Sequence, residues 1–253
     1  MKYLLIHSYS ELNKGDAGII LSTIQNIRSS DKHSKIFLYS TYGFSDKQFK
    51  SQKLFFEKYV DGIYSALFPE LFIYFNNKYY YGVIAKFISL LGNLVKGFLI
   101  LIFPPISKLI LSSNELDSFH AIKDCDLVIS KGGSFLCNEG SSREFFALLR
   151  LFHPIFVAKR LKKRVIILGQ SLGPVEGFFS QILFKLGISF VNELYIRESK
   201  TIDLLLSNNI QLTNYKFIPD MAFALNDFDG IVDKEISFDN NFNVGLTIVD
   251  FPF

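Results

Sequence analysis

Tryptophan is absent from this chain of 253 residues, and cysteine and methionine occur only twice each. Cys125 and Cys137 have neither the spacing of a metal-ligand set nor the density of a disulfide framework. A reducing compartment therefore suffices, and no metal site is expected. Charge is sparse as well: 20% of residues are Asp, Glu, Lys or Arg, with a net charge of +3. So weak a positive excess, unless clustered, excludes nucleic acid as the expected partner. Long apolar runs are also missing. The greasiest stretch, 79–111, is broken by Lys86, Asn93, Lys96 and Lys108, short of the roughly 20 apolar residues that span a bilayer. The run Tyr3–Ile6 is too short for a signal-peptide core, so it reads as a first strand and the chain as cytoplasmic.

What is present is ample core material: 49% of residues are hydrophobic and 28 are Phe. That excludes disorder and suits one large domain or two small ones. Short apolar runs alternate with helical periodicity, which is the pattern of an α/β fold with a parallel sheet. Strands are expected at Tyr3–His7, Lys35–Tyr39, Asp126–Ser130, Val165–Leu168, Glu193–Ile196 and Lys216–Ile218. Helices are expected over Ala17–Arg28, Ser45–Tyr59, much of 79–111, Ser142–Lys163 with a kink at Pro154, Phe178–Val191 and Lys200–Ser207. Within 79–111, at about 100° per residue, Lys86, Ser89, Asn93 and Lys96 share one narrow sector. Such a helix either lies buried with one wet edge or rests on a membrane surface with its basic stripe toward lipid.

The polar residues collect at strand ends, where open α/β sheets bind ligands. After strand 1, Asn13-Lys-Gly-Asp16 opens a helix, with Asp16 placed as its cap and Gly15 beside it; the alternative role is holding an anion or a sugar hydroxyl. Lys131-Gly132-Gly133 lets backbone approach a ligand closely. In Arg164–Pro174 the strand is expected to leave the sheet at Gly169, presenting Gln170 and Ser171 at its carboxyl end. Arg197-Glu198-Ser199 follows the next strand, with Ser199 as a helix cap. Arg197 either grips a carboxylate or phosphate through its planar fork or pairs with Glu198 at the surface. Pro219-Asp220 closes the last strand.

In this order, Asn13-Lys-Gly-Asp16, Lys131-Gly-Gly133, Gly169-Gln-Ser-Leu-Gly-Pro174, Ile196-Arg-Glu-Ser199 and Pro219-Asp-Met-Ala-Phe223 resemble the polysaccharide pyruvyl transferase family. The resemblance implies a glycosyltransferase-B-like fold of two Rossmann-like halves. Residues 1–225 would form the N-terminal Rossmann-like domain, and 226–253 a linker and the first strand of a second. It also implies transfer of pyruvate from phosphoenolpyruvate to two sugar hydroxyls of a surface or exopolysaccharide precursor, including a lipid-linked one, as a ketal. No cofactor is implied, since phosphoenolpyruvate is the donor substrate. Arg197 matches the family's arginine that contacts this donor. Asn13, Gly15, Asp16, Gly132, Gly133, Gln170, Ser171, Glu198 and Asp220 are expected to line the cleft or the acceptor side.

The family's catalytic histidine belongs to the C-terminal half, and His7, His33, His120 and His153 match no such motif, so the catalytic residue is not assigned. Asn243–Asp250 resembles a strand begun and not continued. The expectation is an N-terminal half whose partner is encoded separately, a fragment, or an inactive remnant. A nucleotide-sugar glycosyltransferase of the same fold and a noncatalytic glycan-binding protein are the other readings the sequence admits. The membrane-surface alternative for the basic stripe would place the work at the inner face of the cell membrane, with peripheral lipid contact.

Overall fold

The computed structural model describes residues 1–68, 80–208 and 215–225, and for 80–90 the backbone alone. The segment expected to begin a second domain, 226–253, lies outside the described residues. Strands β1 (Lys2–Ser8), β2 (Lys35–Ser40), β3 (Gly62–Tyr64), β4 (Leu127–Ser130), β5 (Gly133–Asn138), β6 (Arg164–Val175), β7 (Glu193–Ile196) and β8 (Tyr215–Phe217) form one sheet. Its order is β3-β2-β1-β4-β6-β7-β8, with β5 added on β6, and every pairing is parallel. The expected Rossmann-like α/β architecture is thus the observed one. Strand order reverses between β1 and β4, which makes the crevice outside their carboxyl ends the topological switch point.

The sheet is buried on both faces because successive side chains alternate. Leu4 and Ile6 of β1 join a core cluster that includes Ile122, Leu148, Phe152, Phe184 and Leu194. Leu5 points the other way, into a cluster with Ile20, Leu21, Ile36, Leu38 and Phe56. The helices supplying these faces are α1 (Lys14–Ser30) and α2 (Lys47–Phe56) on one side. On the other lie α5 (Ser113–Asp124), α6 (Ser142–Arg160) and α7 (Phe178–Ser189). Helix α8 (Lys200–Ser207) follows β7, and α3 (Tyr80–Ile102) leads through a 3-10 turn at Pro104–Ile106 to the short α4 (Ser107–Ile110).

Several local expectations are corrected. The first helix starts at Lys14, not Ala17, and its cap is Asn13, whose Oδ1 accepts from Asp16 N at 3.2 Å; Asp16 sits in the first turn. Helix α6 is capped by Ser141 and not by Ser142, its first residue, through a reciprocal box in which Ser141 Oγ accepts from Glu144 N. Ser199 precedes α8 without a side-chain cap bond. Strands β3 and β5 and helix α5 were not expected. The largest difference is at Gly169, where β6 does not leave the sheet. Leu127 through Ser130 pair with Arg164 through Ile167; beyond the glycine, β6 changes partner and pairs with β5 through Gly133↔Gln170 and Leu136↔Leu172. Gly169 at φ 49° supplies the left-handed bend that lets one strand serve two neighbours.

Candidate functional site

Four side chains from four loops or strands meet at the carboxyl edge of the sheet. Lys131 follows β4 at the switch point and its side chain is 0% exposed. Its ammonium donates to Asp16 Oδ1 from the first turn of α1 and stands 5.2 and 5.3 Å from the ring centroids of Tyr9 and Phe135. A buried cation needs such company, because water is gone and only the carboxylate and the ring faces replace it. Burial holds the Lys131 ammonium below the ordinary lysine range, while Asp16 and Asp220 pull the other way and Arg197 adds to the depression.

Arg197 follows β7. Its Nε donates to Ser171 Oγ at 2.5 Å, and its Nη1 donates to Asp220 Oδ2. The carboxylate on Arg197 is therefore Asp220, not the neighbouring Glu198, whose side chain is exposed. Asp220 Oδ1 in turn accepts from Ala222 N at 2.9 Å and caps the 3-10 turn Met221–Ala224.

A crossing segment brings Asp220 there. Ile218 N donates to Ile196 O beyond the end of β7, and Pro219 and Met221 pass against Gly169, whose added Cβ would stand 3.5 Å from Pro219 O and from Met221 Cγ. Leu225 then packs into the cluster under α1. The strap thus runs from the β8 edge over β7 and β6 to α1, laying Asp220 on Arg197 beside the switch point.

The remaining expected residues fall into two groups. Asn13 and Gly15 are exposed at the start of α1, Asn13 being engaged as cap. Gln170 is fully buried; its Nε2 donates to Ser171 O at 2.9 Å, and its Oε1 has no hydrogen-bond partner among the described residues. Gly132 faces the sheet: an added Cβ would lie 2.6 Å from Leu168 O, a close backbone approach that only glycine permits. Gly133 begins β5.

In the sequence Lys131 stands out only as a flank of the glycine pair, and Tyr9 and Phe135 belong to no motif. The signal for Lys131 was a lysine set directly after a buried apolar strand. His7, one residue before the end of β1, has φ 64°, an uncommon conformation for a side chain of its kind. It is fixed by two hydrogen bonds: Nε2–H donates to Leu151 O at 2.7 Å, so Nδ1 must accept from Ser130 Oγ at 2.8 Å. Burial, followed by the charges of Lys131 and Arg150, pushes its pKa down to about 3, so it stays neutral and structural. A cleft of about 470 Å³ lined by Pro174, Phe178, Lys185 and Leu204 lies elsewhere, between α7 and α8, and none of the clustered charges lines it. No group of three or more metal-ligating side chains occurs among the described residues.

Two carboxylates and two cations held together by directed bonds, with a hydroxyl and a buried amide beside them, can orient a ligand carrying both anionic and hydroxyl groups. No curated protein matches the chain. The family model described as polysaccharide pyruvyl transferase matches residues 13–250, a span that starts at the cap of α1 and includes Lys131, Ser171, Arg197 and Asp220, and the chain belongs to that family.

Proposed function

We propose that the chain takes part in transferring pyruvate from phosphoenolpyruvate to two hydroxyls of a saccharide, giving a cyclic ketal. The observation that carries this reading is Arg197, fixed at the end of β7 by Ser171 and Asp220 with further N–H donors left for a ligand. A planar guanidinium suits a donor that presents a carboxylate and a phosphate, since both can be bound through two parallel N–H bonds. In the overall reaction one sugar oxygen adds to C2 of the enol as its methylene gains a proton. The second sugar oxygen then replaces phosphate at the same carbon, and the second hydroxyl proton leaves with the phosphate.

On this reading Asp220 and Ser171 hold Arg197 in place, and Lys131 fixes the start of α1 through Asp16. Gln170 Oε1, buried without a hydrogen-bond partner among the described residues, favours a hydroxyl-bearing acceptor close by. The test incubates the full chain with phosphoenolpyruvate and saccharide acceptors. Phosphate release matched by a product heavier by pyruvate less water is the expected result. Isothermal titration separates binding from turnover: tight binding of uridine nucleotides without binding of phosphoenolpyruvate would overturn the proposal in favour of sugar transfer.

A further inference from the structure

We propose that the cleft between α7 and α8 holds saccharide units of the acceptor beyond the unit that reacts. This rests on the reading of a saccharide acceptor given above. The cleft encloses about 470 Å³, within the range of small-molecule sites. Part of its wall is the end of β6 and the residue after it, Pro174 to Glu176, and the same strand carries Ser171. The four steps of chain from Ser171 to Val175 span no more than about 13 Å. Helix α8 ties the two places together. Thr201 Oγ1 accepts from Leu172 N at 3.1 Å, next to Ser171, and Leu204 closes on Gly173, where an added Cβ would stand 2.6 Å from the Leu204 Cδ2. The strand that positions Ser171 on Arg197 therefore also shapes the cleft, and a saccharide chain leaving Ser171 along β6 arrives at it.

The lining selects the occupant, because it is polar without being charged in sum. Glu176 and Lys185 contribute one charge of each sign, and neither has an ion-pair partner among the described residues. Gln181 Nε2 donates to Val175 O at 3.4 Å and Asn208 Nδ2 donates to Leu204 O at 2.9 Å. Both amides are thereby oriented, and Gln181 Oε1 and Asn208 Oδ1 have no donor among the described residues. Hydroxyl groups both donate and accept, so carbonyl and carboxylate acceptors beside an ammonium match a polyhydroxyl ligand. Phe178 supplies the apolar part. It lines the cleft yet is 72% exposed, and its ring meets that of Phe179 edge-on at 5.6 Å. An aromatic face is electron-rich and attracts the polarised C–H groups on one side of a pyranose ring, while the hydroxyls of the sugar reach the amides. Other occupants fit less well. A polyphosphate needs more than Lys185, the one cation lining the cleft among the described residues, and an acyl chain would strand the carboxylate and the amides against hydrocarbon.

The experiment titrates the full chain, without phosphoenolpyruvate, with galactotetraose, mannotetraose, cellotetraose and chitotetraose and with the corresponding monosaccharides, read by saturation-transfer NMR. At least one tetrasaccharide should bind about tenfold or more tightly than its own monosaccharide. Phe178→Ala should abolish that gain and Gln181→Ala lower it about fivefold, while Phe178→Tyr keeps the ring and the gain. Each variant replaces an exposed side chain, so the fold is retained, as circular dichroism would verify. No gain for any of the four sugars, or a gain unchanged in Phe178→Ala, would overturn the proposal. So would a concentration-dependent dimer that Phe178→Ala dissociates while no saccharide binds, which would assign the cleft to a second copy. The donor chemistry fails separately. A tetrasaccharide gain in a chain that binds no phosphoenolpyruvate supports the cleft and overturns pyruvate transfer, whereas turnover of phosphoenolpyruvate without such a gain overturns the cleft alone.

Discussion

The ion pair between Lys131 and Asp16 is asymmetric, and the asymmetry sets a measurable order among variants. Asp16→Asn leaves a wholly buried ammonium without its adjacent carboxylate. Removing one partner of a buried pair costs about 3–5 kcal/mol. The ring faces of Tyr9 and Phe135 remain in place 5.2 and 5.3 Å from Nζ, and together they return about 1 kcal/mol. The net expected loss is about 2–4 kcal/mol. Lys131→Met leaves Asp16 instead. That carboxylate is 20% exposed and sits in the first turn of α1, where water and the helix dipole support it. Its loss is about 1 kcal/mol, and the apolar Met fits among the rings. The double variant should cost no more than Lys131→Met, because neither charge is then stranded. Urea unfolding followed by circular dichroism reads all three; with a slope of about 2 kcal/mol per molar, Asp16→Asn should lower the midpoint by about 1–2 M. The pH dependence gives a second reading. Because the native ammonium has its pKa held below its ordinary value of 10.5, the unfolded state binds more protons between the two values. Wild-type stability relative to Lys131→Met should therefore rise with pH through that window and level off above it. Equal losses for the two single variants, or a relative stability that falls with rising pH, would refute the claim that the lysine carries the burial cost.

Two further outcomes follow from the same region. In an active preparation Arg197→Lys should lose about thirtyfold in kcat/KM and Arg197→Ala more, because lysine keeps the charge without the fork; donor kinetics unchanged in Arg197→Ala would remove the residue-level support for phosphoenolpyruvate. His7 has a native pKa of about 3 against an ordinary 6.5, so the unfolded state alone takes up a proton between these values and stability should fall as pH drops through the window. His7→Asn, which tolerates φ 64° and does not titrate there, should flatten that acid limb in denaturation curves, and an unchanged slope would count against a neutral buried imidazole.

The strand ends were legible because ligand chemistry and strand termini leave different marks that here coincide. Glu193–Ile196 and Lys200–Ser207 match the observed elements residue for residue, since a buried apolar run and a helical stripe need no distant partner to be seen. Helix α5 was missed although it carries a local mark, the capping box of Ser112 and Glu115, whose Oε2 accepts from Ser112 N at 2.8 Å. Strand β5 was not legible, because Gly133 at its head reads locally as turn and its only partner is the far half of β6. The course of β6 was misread for a related reason. A glycine of positive φ ends a strand in most local contexts, and only the tertiary pairing with β5 keeps the chain in the sheet. The outer face of α3, on which Leu91, Val95, Phe98 and Ile102 are at least half exposed, was hidden by its own hydrophobicity, since periodicity cannot say which of two apolar sides the fold covers.

The strap that follows β8 accounts for why Asp220, distant in sequence from every other clustered charge, belongs with them. Gly169 bends β6 at φ 49°, and Pro219 and Met221 pass against it at van der Waals distance, so the partner switch of the strand and the placement of Asp220 meet at one residue. As a result each cation at the edge meets a resident carboxylate, Lys131 through Asp16 and Arg197 through Asp220, and the cluster is balanced in charge. The two pairs are not equivalent. Lys131 is sealed, so its carboxylate cannot be exchanged without stranding a charge in the core. Arg197 is 27% exposed and Asp220 21%, so solvent already reaches both, and another anion can compete for the guanidinium at far smaller cost. Of the two cations at this edge, Arg197 is thus the one fitted to exchange ligands, and Lys131 the one fitted to hold the crevice in shape.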